Sequence, residues 1–348
     1  METAEHGPGP ARRSVPTRVL ALAGKGSLVL GVGAGGLWTA THGVAGVAWG
    51  DVATVLRGVT LAQVALLSAV WLGGLAIYST VLAAALPGLG VRRGLLLNLS
   101  GSAVANVVPL GGAVATALNW RMARRWGHSD PAFAAFCVLT NALDALTKLV
   151  LPLVGVAAFV LVSVDVPPVL WGVAGACATL LLGALAALQV LRLRVRVPGP
   201  AGGASRRRAA GRRLLRDSAD RVHRLLALGW RPLLSGSAGY IAAQVVLLLL
   251  SLRSVGLHAP LTVVIMAAAI ERLGTLIPLT PGGTGVAEIG TIAWLVTTGL
   301  DPVQVVAGVL LYRVFLVVME IPVGGLLLGG WAWLQRSSPV RASAEVGA

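Results

Sequence analysis

Long apolar runs, separated by short polar and basic segments, set the rhythm of this chain. Six of them, at 24–45, 60–86, 131–163, 167–191, 232–252 and 303–334, are continuous, and two more, at 94–119 and 259–299, are interrupted by proline and glycine. About 20 apolar residues of helix cross a ~30 Å hydrocarbon core, so the continuous runs predict about six full spans. A spanning segment of this length satisfies its own backbone only as a helix. The expected fold class is an all-α polytopic membrane protein.

The two broken runs read differently. Arg92 and Arg93 precede the first, and Arg121, Arg124 and Arg125 follow it. If 94–119 crossed the bilayer, these clusters would lie on opposite sides, against the excess of Lys and Arg in cytoplasmic loops. A re-entrant hairpin that enters and returns keeps both inside. It also keeps inside the N-terminus (1–20, expected to be disordered), the loop 192–231 and the tail 336–348. On that topology Arg57 and Arg253 face outside, Lys148, Arg272 and Arg313 are intramembrane, and the other 23 of the 28 basic residues are cytoplasmic.

The same reasoning makes 259–299 a hairpin entering from the outside. Two membrane halves of inverted topology result, 21–191 and 232–335, each with one Pro/Gly-broken re-entrant hairpin. The tips are alike: Asn106, Pro109, Gly111 and Gly112 in the first, Pro278, Pro281, Gly282 and Gly283 in the second. Interrupted segments at matching positions of inverted halves point to a mid-membrane binding site, here one shared by both tips.

Composition narrows the partners. Hydrophobic residues make up 56% of the sequence and charged residues 12%, with a mean hydropathy of +0.83. The net charge of +15 sits in short loops beside apolar runs, which suits anionic lipid head groups and leaves no module for nucleic acid. A multi-pass protein of the cell membrane is expected. No small-residue cleavage site follows the first apolar run, so it is expected to stay as an anchor. Within 192–231, arginines from Arg206 to Arg224 alternate with Leu214, Leu215, Val222, Leu225 and Leu226. That spacing suits an amphipathic helix on the cytoplasmic leaflet, or a basic linker that fixes topology.

Ionisable residues inside apolar runs carry the candidate chemistry, because each charge at bilayer centre costs at least ~2.5–3.5 kcal/mol unless paired or facing a cavity. Asp144 and Lys148 are four residues apart, so they share a helix face and can pair; Asn141 extends that face. Glu271 and Arg272 are adjacent and point about 100° apart on a helix, so each needs another partner. Glu288 lies on the return arm of the same hairpin. Arg313 and Glu320, seven apart, are expected on one side of the last span. Arg313 cannot shed its charge, so it either recognises a phosphate or forms a permanent pair with Glu288 or Glu320.

The glycines from Pro281 to Gly285 expose backbone N–H groups before a new helix, an arrangement that attracts anions or serves simply as a tight turn. Cys137 and Cys177 read as small buried hydrophobes. Gly31, Gly33 and Gly36 match a dinucleotide fingerprint only in letters, and Gly325 with Gly329 reads as a close helix contact. No HExxH, nucleophile elbow, Walker lysine or metal spacing occurs. Neither enzyme chemistry nor a cofactor is expected.

The set Glu271, Pro278, Pro281, Gly282, Gly283, Gly285 and Glu288, followed by Gly299, Ala307 and Arg313, resembles the signature of the flippase-like integral membrane family related to the transmembrane half of lysylphosphatidylglycerol synthases. Asn106, Pro109, Gly111, Gly112 and Arg121 extend the resemblance into the first half. It implies a lipid-translocating module with two re-entrant hairpins. Ala113 and Val114 stand where the family often has an acidic residue, and Thr140 and Asn141 precede Asp144 where it often has Glu-Arg, so a different head-group preference is implied. The chain is not expected to carry a soluble aminoacyltransferase domain of its own.

The function expected is movement of a phospholipid or lipid-linked head group between leaflets. The alternatives are a secondary transporter of a small solute and a non-transporting partner of a separately encoded lipid-modifying enzyme.

Overall fold

The structure, a computed structural model, describes residues 45–108, 111–162, 166–196, 206–276 and 285–337. Among them every element is helical: α1 (Trp49–Arg57), α2 (Leu61–Ala85), α3 (Val91–Val107), α4 (Gly111–Arg125), α5 (Asp130–Val162), α6 (Pro168–Arg196), α7 (Arg206–Ser254), α8 (Leu261–Gly274), α9 (Val286–Thr297), α10 (Pro302–Arg313) and α11 (Glu320–Ser337). A π turn, Val314–Val318, joins the last two into one span.

Five helices are long and apolar enough to cross a membrane: Leu61–Ala85, Asp130–Val162, Pro168–Ala186, Gly229–Ser254 and Pro302–Gln335. They match five of the six continuous apolar runs; the run 24–45 lies outside the described residues, as do Gly31, Gly33 and Gly36. Helix α1 was not signalled by the hydrophobic pattern. In α7 the basic stretch from Arg206 is helical, as one reading of its spacing has it, and Gly229 leaves helical geometry (φ −139°, ψ 24°) where that stretch meets the span.

The two broken runs are helical hairpins. A Cβ on Gly111 would sit 2.3 Å from the carbonyl oxygen of Ala105, so the chain reverses tightly between α3 and α4. In the second hairpin a Cβ on Gly274 would lie 2.7 Å from the Cα of Ala287. Farther from that turn, the Trp294 indole N–H donates to the Val263 carbonyl at 3.0 Å. Contacts that spread apart in sequence away from the turn define antiparallel arms. The longest arm, α3, has 17 residues, about 25 Å at 1.5 Å per residue, which is short of a ~30 Å core. No arm of either hairpin, as far as it is described, is long enough to cross such a core by itself.

At the open end of the first hairpin, Arg93 lies over Trp126 at 5.3 Å, Arg124 over Trp120 at 5.5 Å and Arg125 over Trp331 at 5.6 Å. Stacked Arg and Trp suit a membrane surface, where an amphipathic ring meets a charged head.

Packing places the hairpins against different partners. Helices α2 and α7 lie along each other, α3 packs on α11, and α8 packs on α5. The α3–α11 contact is made by Gly324, whose added Cβ would fall 2.0 Å from the Leu99 carbonyl oxygen. This corrects the expectation for Gly325 and Gly329, which have open space where a Cβ would be. The right face is one residue earlier.

Candidate functional site

Helix α9 begins at Gly285, whose φ of +97° is costly for any residue with a side chain. The Gly285 N–H donates to Glu288 Oε2 at 2.6 Å, so the third residue of the helix satisfies a backbone group that the helix itself leaves free. The other oxygen of the same carboxylate, Oε1, accepts from Arg313 Nε at 2.7 Å. Arg313 Nη1 donates at 2.7 Å to Glu271 Oε1. One arginine on α10 thus ties the two arms of the second hairpin together through two carboxylates. Arg313, Glu271 and Glu288 are buried, at 7%, 3% and 3% exposure. Of the two carboxylates expected as its partners Arg313 meets Glu288, and Glu271 is a second partner.

Glu320 makes no salt bridge in that clamp among the described residues, although the Arg313 charge still acts on it. The π turn closes with the Met319 N–H on the Val314 carbonyl at 2.8 Å and holds one residue more than an α turn. The extra residue brings Glu320 round by about 100° relative to an uninterrupted helix. Its carboxylate, also buried, lies beside Ser102 of α3.

The second cluster surrounds Asp144. Lys148 Nζ lies 2.7 Å from Asp144 Oδ2, as the four-residue spacing predicts, and Arg272 Nη1 lies 3.7 Å from Oδ1. Arg272 is held by a hydrogen bond from Nη2 to Gln244 Oε1 and by the ring of Tyr240, 5.5 Å from its guanidinium carbon. Tyr240 stacks in turn on Tyr78, with centroids 4.6 Å apart. Glu271 and Arg272, neighbours in sequence, therefore belong to different clusters, as their angular separation requires. The Asp144 side chain is 42% exposed against 12–13% for its two cationic partners. A charge that exposed near the middle of α5 cannot face hydrocarbon, so it marks the mouth of a polar cleft.

Two narrow clefts meet at Tyr240. One is lined by Tyr78, Thr140, Asp144, Thr147, Tyr240 and Arg272 among others. The second is lined by Trp71, Tyr240, Gln244, Leu316 and Glu320 among others. Each has room for about one water. Asn141 is absent from the first cleft; its amide donates back to the Cys137 carbonyl at 2.8 Å, so the expected extension of the Asp144 face runs through Thr140 instead.

These positions agree with a match at the level of the whole sequence. A family model for the lysylphosphatidylglycerol synthase transmembrane region matches residues 26–324. The chain belongs to this family. No curated protein matches it. The matched span takes in both hairpins and every ionisable residue of the two clusters, so the site described here lies within the part that defines the family.

The first hairpin contributes less than the symmetry of the tips suggests. Asn106 is half-buried, Gly111 buried, Gly112 exposed, and Arg121 is exposed ten residues along α4 from the break. Pro109, Pro278, Pro281, Gly282 and Gly283 lie outside the described residues, so the expected meeting of the tips falls there. Among the described residues the ionic site is built from α5, α7, α8, α9 and α10, and α3 reaches it only through Ser102.

Sequence reasoning missed Tyr78, Tyr240 and Tyr312. Tyr312 is fully buried beside Glu271 and Arg272. These are the only three tyrosines of the chain. Tyrosine in membrane proteins concentrates at the interfaces, so its placement inside apolar runs was the available signal.

Proposed function

We propose that the protein moves the head group of an anionic phospholipid or lipid-linked molecule between the leaflets of the cell membrane, with both termini cytoplasmic. The observation that carries this reading is the cleft around Asp144. Arg272 lines that cleft, Lys148 pairs with Asp144 beside it, and Asp144 occupies both cations as a half-exposed placeholder. The 3.7 Å separation from Arg272 is too long for a hydrogen bond, so this contact yields first to a competing phosphate. Arg272 then offers its planar donors to the phosphate while Gln244 and Tyr240 hold it in aim. Arg313, committed to Glu271 and Glu288, acts as a clamp on the hairpin and leaves ligand recognition to Arg272.

The pattern of packing supports inverted halves. Exchanging α2 with α7, α3 with α8 and α5 with the last span turns the contact of α3 on α11 into that of α8 on α5, both of which occur. Two such halves built around a mid-membrane site suit alternating access.

A second reading, secondary transport of a small solute, draws support from the narrowness of both clefts. A separately encoded lipid-modifying enzyme is a further proposed partner, since the family takes its description from a synthase.

The test is a leaflet assay in proteoliposomes, using a head-group-labelled anionic lipid and a membrane-impermeant quencher. Faster inward loss of label with wild type than with Arg272→Ala or Asp144→Asn supports the reading. Equal rates in protein-containing and empty vesicles, for anionic and zwitterionic lipids alike, would remove it.

A further inference from the structure

Glu320 differs from every other acid at the site. Glu271 and Glu288 share Arg313, and Asp144 shares Lys148 and Arg272. Glu320 forms no salt bridge among the described residues, although it is as buried as Arg313 at 7% exposure. Among the described residues the site holds four acids against the three bases Lys148, Arg272 and Arg313, so with all of these ionised one negative charge is left over. A buried carboxylate without a cation is stable only if it can take up a proton.

The neighbours of Glu320 narrow its role. Tyr240 on α7 and Arg313 on α10 are the titratable and charged groups that face it. From α3 comes Ser102, from the π turn Leu316, and from α2 Trp71, none of which carries a charge. The Trp71 indole N–H is buried, lines the same cleft as Glu320, and has no hydrogen-bond partner among the described residues. An unpaired donor in a polar cleft with room for about one water fits a water bridged between Trp71 and the carboxylate. Such a water is the immediate proton donor and acceptor for the carboxylate.

We infer that Glu320 is a proton-binding site of this protein, taking a proton from water in the Trp71 cleft and returning it to water when that cleft opens. Uptake converts the carboxylate to a carboxylic acid and the donor hydronium to water, and cancels the surplus charge. While ionised, Glu320 competes with Glu271 and Glu288 for Arg313. Once protonated, it releases Arg313 entirely to the hairpin. Proton occupancy therefore sets how firmly α10 holds α8 and α9, which is a means of coupling proton movement to transport. The coupling rests on the transport reading above; the proton site does not.

Infrared difference spectroscopy of the purified protein, titrated between about pH 5 and pH 9, tests the site without knowledge of the substrate. The expected result is a protonated-carboxyl band that titrates in this range and is lost in Glu320→Gln. Should Glu320→Gln resist purification, Trp71→Phe is expected to move the midpoint of the same band. A band of undiminished size in Glu320→Gln, an unmoved midpoint in Trp71→Phe, or no titrating carboxyl in wild type overturns the assignment. In the leaflet assay an imposed pH gradient is expected to change the wild-type rate several-fold and leave Glu320→Gln unaffected. A titrating band without any lipid movement would sink the lipid reading alone; lipid movement without the band would sink the proton site alone.

Discussion

Glu288 binds Arg313 with one carboxylate oxygen and the Gly285 amide with the other, at 2.7 Å and 2.6 Å. A single side chain thereby caps the helix that follows the second hairpin turn and fastens that helix to the last span. Capping is a local matter of backbone donors, and clamping is a long-range matter of charge. Their union at one residue explains how a glycine-rich break is tolerated deep in an apolar region.

Removing the arginine is expected to be the most damaging change in the cluster. Arg313→Ala leaves Glu271 and Glu288 buried together without a cation, and breaking a buried pair from one side costs about 3–5 kcal/mol. Glu288→Gln keeps an acceptor for Gly285 and leaves Arg313 its bond to Glu271, so its cost is smaller. Thermal unfolding of the two variants in the same detergent checks the order; a Glu288→Gln protein less stable than Arg313→Ala would contradict the shared clamp.

Asp144→Asn is expected to slow head-group movement while the protein still folds. Its side chain is 42% exposed but Lys148 and Arg272 are only 12–13% exposed, so the loss of stability lies between about 1 kcal/mol for an exposed pair and about 3–5 kcal/mol for a buried one. Head-group movement should fall roughly ten-fold or more, because without the placeholder a phosphate stays on the two cations, and one charge-assisted hydrogen bond is worth about that much. Unchanged movement in the leaflet assay would show that the cations release the head group without Asp144.

Two glycines on α11 are expected to respond in opposite ways. An alanine at Gly324 places its Cβ 2.0 Å from the Leu99 carbonyl oxygen and forces α3 and α11 apart, at about 1–3 kcal/mol or more. At Gly325 the added methyl meets open space, and the better helix propensity of alanine is worth up to ~1 kcal/mol in stability. Melting curves of the two single variants decide this. Equal destabilisation would place the helix contact on the wrong face.

The turn between α4 and α5 predicts a mild dependence on pH. Burial, and Arg93 beside it, hold the His128 imidazole below its ordinary pKa of 6.5. In the folded chain the ring therefore stays neutral where the unfolded chain has begun to bind a proton. Stability from this residue is full above pH 6.5 and is lost as pH falls through that value toward the lower folded pKa. Melting temperature followed from pH 7.5 to about pH 5.5 should decline less in His128→Asn than in wild type; parallel curves would rule the contribution out.

Hydrophobic periodicity and its proline and glycine breaks were enough to place five described spans and both helical hairpins, because a span depends on an average over many residues and a break on a local loss of helix. Asp144 with Lys148 was equally legible, since four residues is a fixed helical distance. The partner of Arg313 was not, because Glu271, Glu288 and Glu320 are equivalent as letters. What separates them is the π turn, a hydrogen-bond pattern that leaves no trace in hydropathy. Choosing Gly325 over Gly324 was a phase error of the same kind: one residue is 100° on a helix, and no pattern of small residues resolves it. The three tyrosines were visible, but their meaning required seeing two of them stacked beneath Arg272.

The last span is anchored on both sides of its π turn, by Arg313 to the second hairpin and by Gly324 to α3 of the first. A π turn is one residue inserted into a helix, so it turns every side chain beyond it by about 100°. With the span held on both sides, that single residue divides its polar side chains between the hairpins: Arg313 before it meets the second, and Glu320 after it meets Ser102 of the first.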